Sequence, residues 1–217
     1  FFNQLFNMSK YMLAEQRDVF YYLTVGNENY PQPDAPAGIS VDDVASGLYC
    51  FADVADAQVN LLGSGAIMTQ VLAAQALLHK DWGIAARVFS ATSYSALQRD
   101  GMACERAQRL GGESRISRVA QQLGKDAVPV IAASDYVRAW PELIRAYVPQ
   151  RYVTLGTDGF GRSDRRAALR RFFEVDAEHI VLAALCALAD DGSVDSTLPS
   201  QARQRYGLSD EGEPWQR

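Results

Sequence analysis

From residue 48 onward, short runs rich in β-branched and aromatic residues alternate with longer segments of helical character, and this alternation narrows the fold more than anything else in the chain. Leu48–Ala52, Val59–Leu62, Arg87–Ser90, Pro129–Ala133 and Arg151–Leu155 read as strands. Ile67–His79, Ser95–Leu110, Arg115–Leu123, Tyr136–Tyr147 and Ala177–Ala189 read as helices, with a last amphipathic piece at Leu198–Tyr206. A helix between two strands carries the chain back to the starting edge of the sheet, so strands joined this way run parallel. The expected fold class is therefore α/β, a three-layer α/β/α arrangement around a mostly parallel sheet. Finer expectations follow from single residues. The first two strands pair across a turn near Asp56, Gly101 interrupts its helix, and Pro141 marks a break. Asp176 caps the helix after it, which is apolar almost all round and so is buried in the core or in an interface.

Ahead of this region the pattern changes. Phe2, Leu5, Phe6, Met8, Met12 and Leu13 suit one face of a helix over residues 2–16, and Val19–Val25 reads as a strand. Pro31, Pro33 and Pro36 then forbid regular structure and make residues 31–40 an extended linker. Residues 1–30 resemble the end of something larger, and 41–217 form the α/β domain proper.

Composition removes several classes of function. A formal net charge of -5 argues against nucleic acid as a partner, and no apolar run approaches the ~20 residues that cross a bilayer. Cys50, Cys104 and Cys186 are odd in number and far apart, which suits reduced thiols in a cytoplasmic protein. The only two histidines, His79 and His179, sit at a helix end and a helix start, as surface or capping residues. No metal-ligand spacing or nucleophile elbow is present. Gly63-Ser64-Gly65 lies between a strand and a helix, where a phosphate could bind, but it lacks the third glycine or the lysine of the known phosphate loops and reads as a tight turn.

Two loops remain as candidate sites. After Arg151–Leu155 comes Asp158, Gly159, Phe160, Gly161, Arg162, Ser163 and Asp164, in which the glycines permit sharp turning and Ser163 or Asp164 can cap the next helix. Arg162, Arg165, Arg166, Arg170 and Arg171 place five arginines here against one aspartate, Asp164, as a solvated face or as an ordered subunit or ligand surface. The second loop is Asn27, Glu28, Asn29 and Tyr30, for which turn chemistry is the equal alternative.

The segments VFYYLTVGNENYPQP, LLGSGAI, SATSYSALQRDGMACER, AASDYVRAWPELIRAYVP and YVTLGTDGFGRSDRRAALRRFFEVDAEHIVLAAL resemble the C-terminal part of the bacterial homodimeric pyruvate dehydrogenase E1 family, from Tyr11 to about Tyr206. That resemblance implies a transketolase-like, thiamine-diphosphate-dependent enzyme with Mg²⁺, acting on pyruvate and then on a lipoyl group of the E2 acetyltransferase. It implies that residues 1–30 end the pyrimidine-binding domain and that 41–217 form the transketolase-like C-terminal domain. The chain departs from the family pattern where chemistry is concerned. It has no GDG…NN diphosphate signature, Thr157-Asp158-Gly159 being followed by no paired asparagines, and the family's activating glutamate and active-site histidines lie upstream. Glu28 matches the NENY stretch and not that glutamate, and Gly26 stands where related chains carry a larger apolar residue. The expectation is a structural, dimer-forming and interdomain module with no catalytic, cofactor or metal residue of its own, whose partners are the rest of E1, a second E1 subunit and lipoylated E2. The alternative is a free-standing α/β module that binds a small anion through Gly63–Gly65 and the arginine helix.

Overall fold

The computed structural model of the chain describes residues 5, 8–20, 28–31, 33–124, 126–209 and 212–216. Strands β1 (Leu48–Ala52), β2 (Val59–Gly63), β3 (Ala86–Ala91), β4 (Val130–Ala133) and β5 (Tyr152–Leu155) form one sheet in the order β1-β3-β2-β4-β5. The β3-β2-β4-β5 pairings are parallel, and β1 runs antiparallel to β3 at the edge. The helices are α1 (Val41–Ala45), α2 (Met68–Trp82), α3 (Tyr94–Arg109), α4 (Arg118–Leu123), α5 (Ala139–Glu142), α6 (Arg166–Phe172), α7 (Ala177–Asp190) and α8 (Leu198–Tyr206).

Successive strand residues point to opposite sides of a sheet, so a strand buried on both sides must be apolar throughout. β2 meets this condition at every residue but Asn60, all five are buried, and it takes the central place. Val59, Leu61, Val88, Ile131 and Ala133 face a layer made by α2 and α7. Leu62, Phe89, Val130 and Ala132 face the opposite layer, made by Leu97 of α3, Val119 and Leu123 of α4, and Ile144. The expected three-layer α/β/α architecture is present. α7, apolar almost all round, is a core helix, because α2, the sheet and α8 each cover part of it. Asp176 caps it as expected, accepting the His179 N–H at 3.0 Å.

Three expectations are corrected. β1 does not pair with β2; it passes to the far edge and pairs with β3, and its half-exposed C-terminal half suits an edge where the wholly buried β2 would not. α3 runs through Gly101 without interruption, because the missing side chain makes room for the Tyr147 ring. The helix predicted for Tyr136–Tyr147 is only the four-residue α5 plus a 3₁₀ turn, Arg145–Tyr147. Pro141 sits in α5, and its ring cannot coexist with an α-helical turn back to Val137, whose carbonyl instead takes the Trp140 N–H at 3.0 Å. At the N-terminal side, where a helix over residues 2–16 was expected, Leu5 and Met8 are α-helical and Ser9–Ala14 follows as a π-helical turn, while residues 2–4, 6 and 7 lie outside those described. The predicted strand Val19–Val25 falls mostly on residues 21–25, outside those described, and Val19 and Phe20 are exposed. The residues of 31–40 that are described carry neither helix nor strand until Ser40 caps α1.

Candidate functional site

The carboxyl ends of β2, β4 and β5 lie side by side, so the loops that leave them meet. After β2 the chain turns into α2 on one face of the sheet, and after β4 it passes through α5 to Ile144 on the other. Between two such strands a doubly wound sheet opens a crevice in which ligands are commonly held. In this chain its own polar groups line that crevice. Ser64 Oγ donates to Ser134 Oγ at 3.2 Å, and the same oxygen accepts the Tyr136 N–H at 3.1 Å. Gly63 is a packing glycine, since a Cβ there would stand 2.7 Å from Met68 Sδ and 3.1 Å from Val71 Cγ2. A Cβ on Gly65 would lie 3.7 Å from Asp135 Oδ1, so an anion at this turn would meet a carboxyl group. Burial raises the Asp135 pKa, against the pull of its own backbone N–H and of Arg170 and Arg166.

The first candidate loop is fastened to the one after β4. Thr157 N–H donates to Tyr136 O at 2.9 Å and Thr157 Oγ1 to Asp135 O at 2.9 Å. Asp158 accepts from Arg138 with both oxygens, the backbone N–H at 2.8 Å and Nε at 2.8 Å. Both oxygens of Asp158 thus accept from Arg138, a residue sequence reading passed over. Its signal was there, in an arginine just past the end of a parallel strand. Gly159 has φ +98° and backs onto Trp215, whereas Gly161 has open space around it and needs no special angle. Phe160 is 77% exposed, and Tyr136, Val137, Trp140 and Trp215 add to the exposed apolar surface around the Arg138–Asp158 pair. Neither Ser163 nor Asp164 caps the next helix, which starts one residue late, at Arg166, with Arg165 as an N-cap that makes no side-chain bond. Asp164 is spent on the Arg165 N–H, at 2.6 Å.

The two candidate loops, 130 or so positions apart in sequence, are brought together by the arginine helix. Arg166 Nε stands 2.9 Å from Glu28 Oε2, and Arg170 Nη2 donates to Tyr30 Oη at 3.1 Å. Tyr30 in turn donates to Glu28 Oε2 at 2.6 Å. Burial and that bond to Glu28 raise the Tyr30 pKa, and the charges of Arg170 and Arg166 oppose the rise. Asn29 is exposed, and Asn27 lies outside the described residues. Arg171 is drawn the other way, to the Tyr206 and Gly207 carbonyls at 2.7 and 3.0 Å and to Asp176. Arg162 stacks over the Phe172 ring at 4.0 Å, and Arg165 is exposed. Four of the five arginines therefore contact other parts of this chain, three of them through polar groups.

Beside this region a groove of about 660 Å³ runs along the outer edge of β5, lined by Val137, Arg138, Glu142, Arg145, Thr154 and Asp158. Arg145 grips Glu142 and also donates to Tyr152 O at 3.0 Å, and Thr154 Oγ1 donates to Glu142 at 2.5 Å. The bond from Arg145, chiefly, holds the Glu142 carboxyl below its ordinary range. By occupying an outward carbonyl of the edge strand, Arg145 also hinders pairing by another strand. His179 is a capping residue, its Nδ1 2.6 Å from Asp176. Among the described residues no group of three or more His, Cys, Asp or Glu is placed to hold a metal, and no helix is long and apolar enough to cross a membrane.

A largely parallel α/β sheet, helices on both faces and polar loops fastened together at the strands' carboxyl ends define the class of domain. The chain belongs to the transketolase-like C-terminal domain family, which matches residues 47–176. The pyruvate dehydrogenase E1 component of Cupriavidus necator is 48% identical over 203 residues, covering 91% of this chain and 23% of that protein. The same component of Pseudomonas aeruginosa is 46% identical over 209 residues, with 94% of this chain and 24% of that one covered. The chain thus spans about a quarter of the length of the curated relatives it matches. A transketolase mutant from Pichia stipitis shares the fold, with TM-score 0.55 and 19% identity over 78% of this chain and 21% of that chain. The resemblance read from the motifs holds along nearly the whole chain.

Proposed function

We propose that this chain serves as the C-terminal module of a pyruvate dehydrogenase E1 component, a cytoplasmic enzyme that decarboxylates pyruvate and acetylates the lipoyl group of E2. The observation that carries this reading is the 48% identity to the Cupriavidus necator E1 component across 91% of the chain. Residues 1–30 are the end of the pyrimidine-binding domain, 31–40 the linker and 41–217 the C-terminal domain. The module's work is structural: contact with the rest of E1 and with a second subunit, and a wall of the entrance used by the lipoyl arm. Asp158–Asp164 and Asn27–Tyr30 are the segments assigned to those contacts. Exposed Phe160 and Trp215 next to the fixed Arg138–Asp158 pair suit such packing, because exposed clusters of large apolar residues favour association.

Thiamine diphosphate with Mg²⁺ does not fit the residues described. Asp158, the one acid of the Thr157-Asp158-Gly159 motif, has both oxygens on Arg138, and the Gly63–Gly65 turn faces the carboxyl of Asp135. The same two facts, with Arg166, Arg170 and Arg171 all engaged within the chain, also count against a free-standing anion-binding module. The cofactor is assigned to the rest of the enzyme. The test is thermal melting and turnover of 2-oxo acids by this chain with and without thiamine diphosphate and Mg²⁺. No shift and no turnover are expected, because a ligand that binds the native state must raise its melting temperature. Turnover of pyruvate by this chain alone would end the reading.

A further inference from the structure

Arg166 and Arg170 stand one turn apart on α6, so their side chains leave the helix on the same side. On that side the polar atoms close a ring with the segment ahead of the prolines. Arg166 holds Glu28 at 2.9 Å, Tyr30 donates to the same Glu28 oxygen at 2.6 Å, and Arg170 donates to the Tyr30 hydroxyl at 3.1 Å. The guanidinium carbons of Arg166 and Arg170 lie 5.9 and 5.6 Å from the centroid of the Tyr30 ring, within reach of cation–π attraction. Asp135, at the carboxyl end of β4, adds a carboxyl group that feels both charges. α6 itself has no fully buried residue, so its arginines provide much of what it offers to the rest of the fold.

We propose that this face of α6 is a receptor for the chain's own Glu28–Tyr30 segment, forming a charge-operated latch between the region ahead of the linker and the carboxyl end of the sheet. The glutamate supplies the charge for Arg166, the tyrosine supplies a ring for both arginines and a hydroxyl that joins Arg170 to Glu28, and the residue between them is exposed. A second charge pair, Lys10 with Asp42, ties the π-helical turn to α1, so among the described residues ion pairs join the two sides of the proline segment at two places. The side chains of Arg166 and Glu28 are 35% and 48% exposed, and exposed ion pairs are weak and screened by salt. The latch therefore opens readily when the charge is removed or screened. This inference goes beyond the enzyme assignment, and its readout does not depend on it.

The test is the rate at which a glutamate-specific protease cuts the full chain after Glu28, a side chain the latch holds, read by mass spectrometry beside the melting temperature. In the double variant Arg166→Gln/Arg170→Gln, cleavage after Glu28 speeds up by about tenfold, the factor that corresponds to losing a few weak charged contacts together. Arg162→Gln/Arg165→Gln, which removes the same net charge from the same region, leaves it unchanged. The unaltered chain shows the same acceleration on going from about 0.01 M to about 1 M salt, over which the screening length falls from about 30 to about 3 Å. Equal cleavage in the Arg166/Arg170 variant and the unaltered chain at matched melting temperature overturns the latch. So does equal acceleration in both double variants, which would mean that net charge and not this contact governs the segment.

Discussion

Replacing Gly101 by alanine puts two physical effects in direct opposition. Gly101 lies inside α3, where alanine is the better helix former by about 1 kcal/mol, so on propensity alone the change stabilises. The structure reverses that sign. A Cβ at this position would stand 2.5 Å from Cδ2 and Cζ of Tyr147, more than 1 Å inside ordinary contact distance. The Tyr147 ring packs against the cluster that holds Leu97 and Phe89, and its backbone is tied to Ile144 O at 2.9 Å. It retreats only by disturbing those neighbours, and overpacking of this kind costs about 1–3 kcal/mol. Gly101→Ala is therefore expected to lower stability by up to about 2 kcal/mol, or some 2–4 °C per kcal/mol for a chain of this length. In a Tyr147→Ala background the obstacle is gone, and the same change should now raise stability by about 1 kcal/mol. Urea unfolding of the four proteins, followed by circular dichroism, measures this coupling as a double-mutant cycle. If Gly101→Ala has the same effect with and without the Tyr147 ring, the close approach is not what keeps glycine there, and the reasoning fails.

Two other predictions concern buried polar groups. Burial pushes the Asp176 carboxyl up, but the bonds from the His179 side chain and backbone N–H, with the charges of His179 and Arg171, outweigh it and hold its pKa below the ordinary 3.8. A carboxylate lowered in the folded state contributes stability that is complete above its unfolded pKa and is lost as pH falls through the folded one. Asp176→Asn keeps a capping oxygen but not the charge, so its urea midpoint should fall less than that of the unaltered chain between about pH 5 and pH 3; parallel curves would refute the assignment. Tyr94 is buried with no hydrogen-bond partner for its hydroxyl among the described residues, and burial alone pushes its pKa up. Tyr94→Phe should raise stability by about 1 kcal/mol, read as a higher melting temperature, whereas an equal loss would show that the hydroxyl is satisfied.

Much of the fold was legible because its signals are local. The placing of β1 at Leu48–Ala52, α8 at Leu198–Tyr206 and the Asp176 cap needed only β-branched runs, amphipathic spacing and one aspartate ahead of an apolar helix. The site was legible only as loops. Reading along the chain placed Asp158–Asp164 and Glu28–Tyr30 in exposed turns and could not join them, since the pairing of Glu28 with Arg166 spans 138 positions. The five arginines looked like one charged face because side-chain direction is invisible in composition. Arg171 reaches for α8 and Arg170 for Tyr30, in opposite senses, from adjacent residues.

The amino-acid sequence by itself determined the alternation of strand and helix, hence the mostly parallel three-layer sheet, and it determined the family through motifs such as TDGFGRSD. Those properties depend on neighbours a few residues apart, where backbone preference and burial period suffice. Tertiary structure decided that β1 pairs with β3 and not with β2, that Gly101 continues its helix, that Asp158 is committed to Arg138, and that α6 turns two arginines inward. Each of these is a choice among partners distant in the chain, and only the packed sheet, by fixing which loops share an edge, makes one of them available.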